Sequence, residues 1–282
     1  MNARRDALNG RNRPIGVFDS GIGGITVLKA LRKALPHEDL VYLGDTARLP
    51  YGTKSPETVT AYATQATKHL LGHDVKMIVI ACNTASAVAL GPLTQALAPI
   101  PVIGVIEPGA KAGVKATKTG RIGIIATEAT VKGGAYARAI HALMPEAEVS
   151  QAACGLFVTL AEEGWTKGEV AEAAAKRYLA PLFKGRNAPD TLVLGCTHFP
   201  VLARTIKKVA GKGVKLVDSA ATTAKAVEEA LARQDLTAKH KRKGKTRFLA
   251  TDSTERFARV GGIFFGEEIR VKDVELVDIK PT

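Results

Sequence analysis

Met77-Ile78-Val79-Ile80-Ala81-Cys82-Asn83-Thr84 is the stretch on which the reading of this chain turns. An apolar run ends at a small residue and then delivers a cysteine followed by polar side chains. That is the pattern of a buried parallel strand whose carboxyl edge carries chemistry. It returns about a domain-length later in Leu192-Val193-Leu194-Gly195-Cys196-Thr197-His198. Open α/β sheets bind ligands at that edge. Two thiols placed there separately suggest equivalent groups facing each other across one substrate, suited to a reaction in which one face loses a proton and the other gains it.

Outward from these segments the chain alternates strands and helices. Ile15 to Phe18 reads as a first strand, the turn Asp19-Ser20-Gly21-Ile22-Gly23-Gly24 follows, and Gly24 to Leu35 reads as a helix. Leu40 to Leu43 is a second strand, and Ser55 to Leu71 a helix with Pro56 at its first position. Further strands are expected at Met77 to Ile80, Val102 to Ile106, Ile122 to Ala126, Glu148 to Gln151, Thr191 to Leu194, Lys215 to Val217 and Arg247 to Ala250. Alanine-rich helical stretches such as Gly168 to Leu179 separate them. Repeated βα units mean a mostly parallel sheet flanked by helices. The paired cysteine segments, and an echo of Val17-Phe18-Asp19-Ser20 in Val217-Asp218-Ser219, favour an α/β fold of two similar lobes with the active site in the cleft between them. The divisions expected are a basic tail over 1–13, a first lobe over 14–107 plus 220–282 carrying Cys82, and a second over 108–219 carrying Cys196.

Length and composition fit two medium domains: 282 residues, 46% hydrophobic and 24% charged, are ordinary for a globular chain. No run reaches the roughly 18 apolar residues that span a bilayer. Met1 to Pro14 is polar and basic without an apolar core, so it does not read as a secretory signal. Three cysteines are too few for a disulfide framework and are expected as free thiols of a cytoplasmic protein. The net charge of +13 gathers at Arg4, Arg5, Arg11 and Arg13 and in the run Lys239, Lys241, Arg242, Lys243, Lys245 and Arg247. Such a run can meet nucleic acid electrostatically, but it lacks aromatic residues for base stacking and reads as a solvated loop between a helix and a strand.

Among the candidate chemical residues, the glycine turn after the first strand offers backbone amides and a helix N-terminus to an anion. Thr26 stands where a dinucleotide fingerprint needs its third glycine, and no Gly-Lys-Ser/Thr follows, so neither nucleotide motif is present. Cys82 and Cys196 stand out from Cys154 because Asn83, Thr84, Thr197 and His198 follow them directly, where a core would not place polar groups. Cys154, between Ala153 and Gly155, reads as structural. His198 is placed to exchange a proton with Cys196. His69 and His73 have chelating spacing on a helix but no accompanying carboxylate pattern, so no metal is expected.

Taken together, Asp19-Ser20-Gly21-Ile22-Gly23-Gly24, Pro50-Tyr51-Gly52, Ala81-Cys82-Asn83-Thr84-Ala85, Leu160-Ala161-Glu162-Glu163-Gly164 and Gly195-Cys196-Thr197-His198-Phe199-Pro200 resemble the glutamate racemase family. That family is the cofactor-independent branch of the aspartate/glutamate racemases. The resemblance covers roughly Pro14 to Gly266. It departs at Ala161, where valine is commoner, and at Gly133, where serine often follows a segment like Thr130-Val131-Lys132. It implies interconversion of L- and D-glutamate without pyridoxal or metal, supplying D-glutamate for peptidoglycan in a bacterial cytoplasm. Cys82 would act on D-glutamate with Asp19 as partner, and Cys196 on L-glutamate served by Glu162 and His198. Ser20, Pro50, Tyr51, Gly52, Asn83, Thr84, Thr130 and Thr197 would bind substrate. A homodimer is expected. The rival within the enzyme class is an isomerase or decarboxylase of the same superfamily acting on another small acid. From a different class, some members are associated with inhibition of DNA gyrase, a binding role that a supercoiling assay would test.

Overall fold

A computed structural model describes residues 10–279. β1 (Ile15–Asp19), α1 (Ile25–Ala34), β2 (Leu40–Gly44), a 3-10 turn (Tyr51–Thr53), α2 (Pro56–Leu71), β3 (Met77–Ile80), α3 (Asn83–Ala96) and β4 (Val102–Gly104) come first. α4 (Ile106–Ala116), β5 (Arg121–Ala126), α5 (Glu128–Gly133), α6 (Ala135–Leu143), β6 (Glu148–Ala153), α7 (Leu156–Glu162), α8 (Glu169–Leu179), β7 (Thr191–Gly195), α9 (Ala203–Ala210) and β8 (Lys215–Asp218) follow. α10 (Ser219–Arg233), β9 (Thr246–Ala250), α11 (Thr254–Phe265) and β10 (Val274–Leu276) complete the order.

Two parallel sheets result, one of six strands in the order β10-β9-β2-β1-β3-β4 and one of four in the order β6-β5-β7-β8. In each, the chain steps from a founding strand to one side and then crosses to the other. β1 and β3 in one sheet, and β5 and β7 in the other, therefore flank the point where strand order reverses, which is where a ligand crevice opens. Cys82 follows β3 and Cys196 follows β7, so the two thiols are topological counterparts. The echo between Val17-Phe18-Asp19-Ser20 and Val217-Asp218-Ser219 is not such a counterpart. β8 occupies the edge position of β4, and Asp218 caps a helix, accepting from Ala220 N at 2.8 Å.

Where the sequence reading extends the fourth strand to Ile106, the strand stops at Gly104 and α4 begins. Pro108 is tolerated there because the first turn of a helix leaves its N–H groups without intrahelical partners. The largest apolar cluster joins Val27, Leu28 and Leu31 of α1 to Ala224, Val227 and Leu231 of α10 and continues to Phe157, Phe199 and Leu202 in the second lobe. The two lobes thus share one apolar cluster.

The basic run is an exposed loop leading into β9, as expected, and it is tied down at Asp39. Arg242 grips Asp39 at 2.5 and 2.8 Å, and Lys245 N donates to the same carboxylate at 2.7 Å. Nearby, Lys76 Nζ, nearly inaccessible, donates to Glu38 Oε2 at 2.5 Å and to the Leu236 carbonyl at 2.7 Å, while Glu38 Oε1 accepts from Ala238 N. Arg4 and Arg5 of the basic tail lie outside the described residues; Arg13 pairs with Asp74 at 3.0 Å. Among the described residues no helix is long and apolar enough to cross a membrane.

Candidate active site

Cys82 closes β3 and opens α3, whose first turn is tied to it by a bond from Ala85 N to Sγ at 3.4 Å. The thiol donates to Ser20 Oγ at 3.4 Å. Burial pushes it up to about 12, and the charge of Asp19 adds to that shift. Asp19, at the end of β1, is fully buried, and burial raises its carboxyl above the ordinary range despite the opposing charge of His198 and three backbone amides. One oxygen accepts from Gly21 N at 3.0 Å; the other has no hydrogen-bond partner among the described residues.

The second-lobe thiol has a different neighbourhood. His198 Nδ1 lies 3.8 Å from Cys196 Sγ, and Nε2 lies 3.0 Å from Glu162 Oε1. Burial alone would lower the imidazole, but hydrogen bonds and charges from Cys196 and Glu162 together outweigh it and raise it to about 10. Burial likewise opposes the anion at Glu162, yet His198 and then Arg256 hold that carboxyl below its usual range. The second thiol therefore has an imidazolium and a carboxylate arranged in line behind it, while the first has a hydroxyl and a buried carboxyl.

The lobes approach closely around these groups. A Cβ on Gly23 would stand 2.4 Å from the His198 ring and 2.5 Å from Thr197 Oγ1, so only glycine admits this contact. Thr26, the residue that breaks the dinucleotide fingerprint, donates its hydroxyl to the Thr197 carbonyl at 2.9 Å. Thr84 Oγ1 lies 3.0 Å from Thr127 Oγ1 and 3.3 Å from Thr130 Oγ1, a triangle of hydroxyls closed by a 3.0 Å contact between the last two. Asp45, fully buried, takes the Tyr51 hydroxyl and the Arg48 Nε on one oxygen and Thr251 Oγ1 on the other, fixing the loop that presents Pro50, Tyr51 and Gly52.

Between the lobes lies a cavity of about 230 Å³, lined by Ser20, by Pro50 to Thr53, by Cys82 to Thr84, by Thr127 and Glu128, by Gly155, Val158 and Thr159, and by Cys196 to His198. Pockets for drug-sized ligands run from about 300 Å³ upward, so this one suits a smaller molecule. Among the described residues its wall holds no lysine or arginine. The donors it offers to an anion are hydroxyls, helix N-termini and the Asn83 amide. Asn83 Oδ1 accepts from the Tyr136 hydroxyl at 2.7 Å, leaving a buried Nδ2 without a partner among the described residues.

Of the residues singled out from sequence, Ser20, Pro50, Tyr51, Gly52, Cys82, Asn83, Thr84, Cys196, Thr197 and His198 line this cavity, and Thr130 stands behind Thr84. Asp19 and Glu162 sit one layer back, each beside a lining group. Cys154 lies off the cavity wall, its thiol raised to about 12 by burial, and donates to the Ala152 carbonyl at 3.6 Å. Sequence reasoning missed Thr127, Tyr136 and Arg256. Thr127 was within reach, because it directly follows the apolar strand Ile122 to Ala126 just as the cysteines follow theirs. Tyr136 and Arg256 carry no local signal.

Twin α/β lobes meeting across a small cleft, with a buried thiol from each, define an isomerase of the racemase type. The chain belongs to the Asp/Glu/Hydantoin racemase family, whose sequence profile matches residues 21–227, and within it sits among the glutamate racemases. A glutamate racemase of Geobacter metallireducens is 52% identical over 257 residues, 91% of this chain and 94% of that one. The crystal structure of glutamate racemase from Francisella tularensis in complex with D-glutamate superposes with a TM-score of 0.88 at 41% identity, covering 95% and 98% of the two chains. Glutamate racemase isoform RacE1 from Bacillus anthracis gives 0.90 at 38% identity, with the same coverage.

Proposed function

We propose that this racemase interconverts L- and D-glutamate by a two-base reaction in which Cys82 and Cys196 work from opposite sides of the α-carbon. The observation that supports the reading is the cavity, lined by Cys82 and Cys196 and, among the described residues, by no lysine or arginine. With L-glutamate bound, Cys196 as thiolate takes the α-proton, and Cys82, whose raised pKa keeps it a thiol, donates its proton to the other face. Cys196 is left as thiol and Cys82 as thiolate, and the reverse assignment serves D-glutamate. His198 and Glu162 exchange protons with Cys196, and Asp19 does so on the Cys82 side.

The α-proton is weakly acidic beside a carboxylate, so the carbanionic transition state depends on placement and on fixed dipoles. Asn83 Nδ2, the hydroxyls of Ser20, Thr84, Thr127, Thr130 and Thr197 and the backbone of Tyr51 and Gly52 are suited to the two carboxylates. Dipoles have an advantage over a lysine here, because a strong cation would stabilise ground state and transition state alike. D-glutamate bound to the Francisella tularensis relative supports the substrate. The same reading takes the lobes as 14–107 plus 220–282 and 108–219, the protein as a cytoplasmic homodimer, and its product as a precursor of peptidoglycan.

The test is direct. Purified protein given L-glutamate in heavy water, without added cofactor, should lose optical activity and yield D-glutamate carrying solvent deuterium at the α-carbon. Product that keeps its original α-hydrogen would sink the two-base reading. Racemisation of aspartate in preference to glutamate would move the substrate to another acid.

A further inference from the structure

The relay behind Cys196 does not end at Glu162. Arg256, in the first turn of α11, donates from a terminal guanidinium nitrogen to Glu162 Oε2 at 2.6 Å, while Oε1 of the same carboxylate meets His198 Nε2 at 3.0 Å. Further along the same helix, Phe264 sets its ring edge-on to the His198 imidazole, with centroids 5.3 Å apart and planes at 84°. α11 packs on α1 and β10 and so belongs to the lobe of the six-stranded sheet; Glu162, His198 and Cys196 belong to the other. One helix of the first lobe thus holds both partners of the second lobe's thiol.

Glu162 needs such a hold. It is the last residue of α7, and the chain turns away at Gly164 with φ at +75°, so little backbone packing fixes its direction. The terminal torsion of a glutamate is broad and roughly two-fold, which leaves the carboxylate free to swing unless both oxygens are engaged. An arginine on one oxygen and an imidazole on the other define its plane.

We propose that Arg256 is a positioning residue for the Cys196 half of the reaction, a role that presupposes the two-thiol reading of the cleft. It keeps the Glu162 carboxylate aimed at His198, reaching across from the opposite lobe to do so. The charged and titratable groups gathered here are Cys196 and His198 after β7, Asp19 at the end of β1, Cys82 after β3, Glu162 on α7 and Arg256 on α11.

The experiment compares wild type, Arg256→Gln and Arg256→Lys, following His198 by NMR titration of histidine-labelled protein and kcat/KM against pH. The Arg256 side chain is 43% exposed, so neither change disturbs the core. In Arg256→Gln the loosened carboxylate should let the His198 pKa fall by about half a unit or more. The acid limb of kcat/KM should move to higher pH as Glu162 loses its counter-charge. At neutral pH kcat/KM should drop about threefold to thirtyfold, equally in both directions, as expected for misplacing a catalytic group. Arg256→Lys should recover most of each effect. The proposal is overturned if removing the cation leaves the His198 pKa unchanged or raises it, which is what a charge beside an independently held carboxylate would do. The titration needs no turnover. A wild type that fails to racemise glutamate would therefore refute the activity without touching the measured link between Arg256 and His198.

Discussion

The three thiols separate by what surrounds them rather than by burial, since all are buried. Cys154 donates to a backbone carbonyl and lies off the cavity wall, whereas Cys82 and Cys196 line it. Cys154→Ala is expected to retain most activity, while Cys82→Ala and Cys196→Ala each abolish racemisation, because one base cannot protonate the face opposite itself. Circular dichroism of the folded variants followed by a polarimetric assay checks all three. A Cys154→Ala protein as inactive as the other two would place the chemistry elsewhere. His198→Asn is constrained by thermodynamics first. L- and D-glutamate have equal free energies in water, so kcat/KM stays equal in the two directions for every variant. Loss of one acid–base assistant should lower both by about tenfold to a thousandfold. The two kcat values should change unequally, according to which bound form accumulates. Wild-type kcat/KM across pH 6 to 9 would reduce His198 to a structural residue.

Elements, more than residues, were legible in the sequence, and for a physical reason. Strands buried on both faces announce themselves as continuous apolar runs, so β1, β2, β3, β5 and β7 are visible without any partner. β10 was invisible: Val274–Leu276 is a three-residue edge strand with its last two side chains exposed, and it has no pattern of its own. The site was legible where chemistry directly follows a strand, as at Cys82 and Cys196. It was illegible where a helix from the other lobe supplies the group, as with Arg256, because nothing local marks a contact across a cleft. The same limit hid the docking of the basic run, whose partner Asp39 is about two hundred residues away. Gly23 belongs to this scale. Gly23→Ala would drive a methyl group into the His198 ring and Thr197, and is expected to cost on the order of a hundredfold in kcat/KM and to lower the melting temperature by a few degrees, as overpacking of a buried contact does. Kinetics alongside calorimetry tests this; unimpaired turnover would show that the lobes adjust freely.

For the molecule as a whole, the buried relay links stability to pH. A histidine whose pKa rises from 6.5 to about 10 on folding contributes stability that is fully present below 6.5 and is lost as pH climbs through 10. Cys82, raised from 9.0 to about 12, adds a further loss above pH 9, because the unfolded thiol ionises first. Asp19 acts in the same sense, its penalty setting in from pH 3.8 upward. The melting temperature of wild type should therefore decline steadily between pH 6.5 and 10, and His198→Asn should flatten that decline. Parallel slopes for the two proteins, measured by calorimetry across that range, would mean that the imidazole does not carry the linkage.

The six-stranded sheet also imposes an order on biosynthesis. β2 lies between β1 and β9, and β9 is made about two hundred residues after β2. Until then β2 offers an open edge of unpaired N–H and C=O groups, and pairing across so long a separation is slow. The four strands of the other sheet, by contrast, are contiguous in the chain and can assemble while the first waits. Nascent protein stalled near residue 240 should expose an unfinished sheet to chaperones beside an already folded insert. Its C-terminal quarter, which carries no thiol and lines no part of the cavity, is what converts that sticky intermediate into an enzyme.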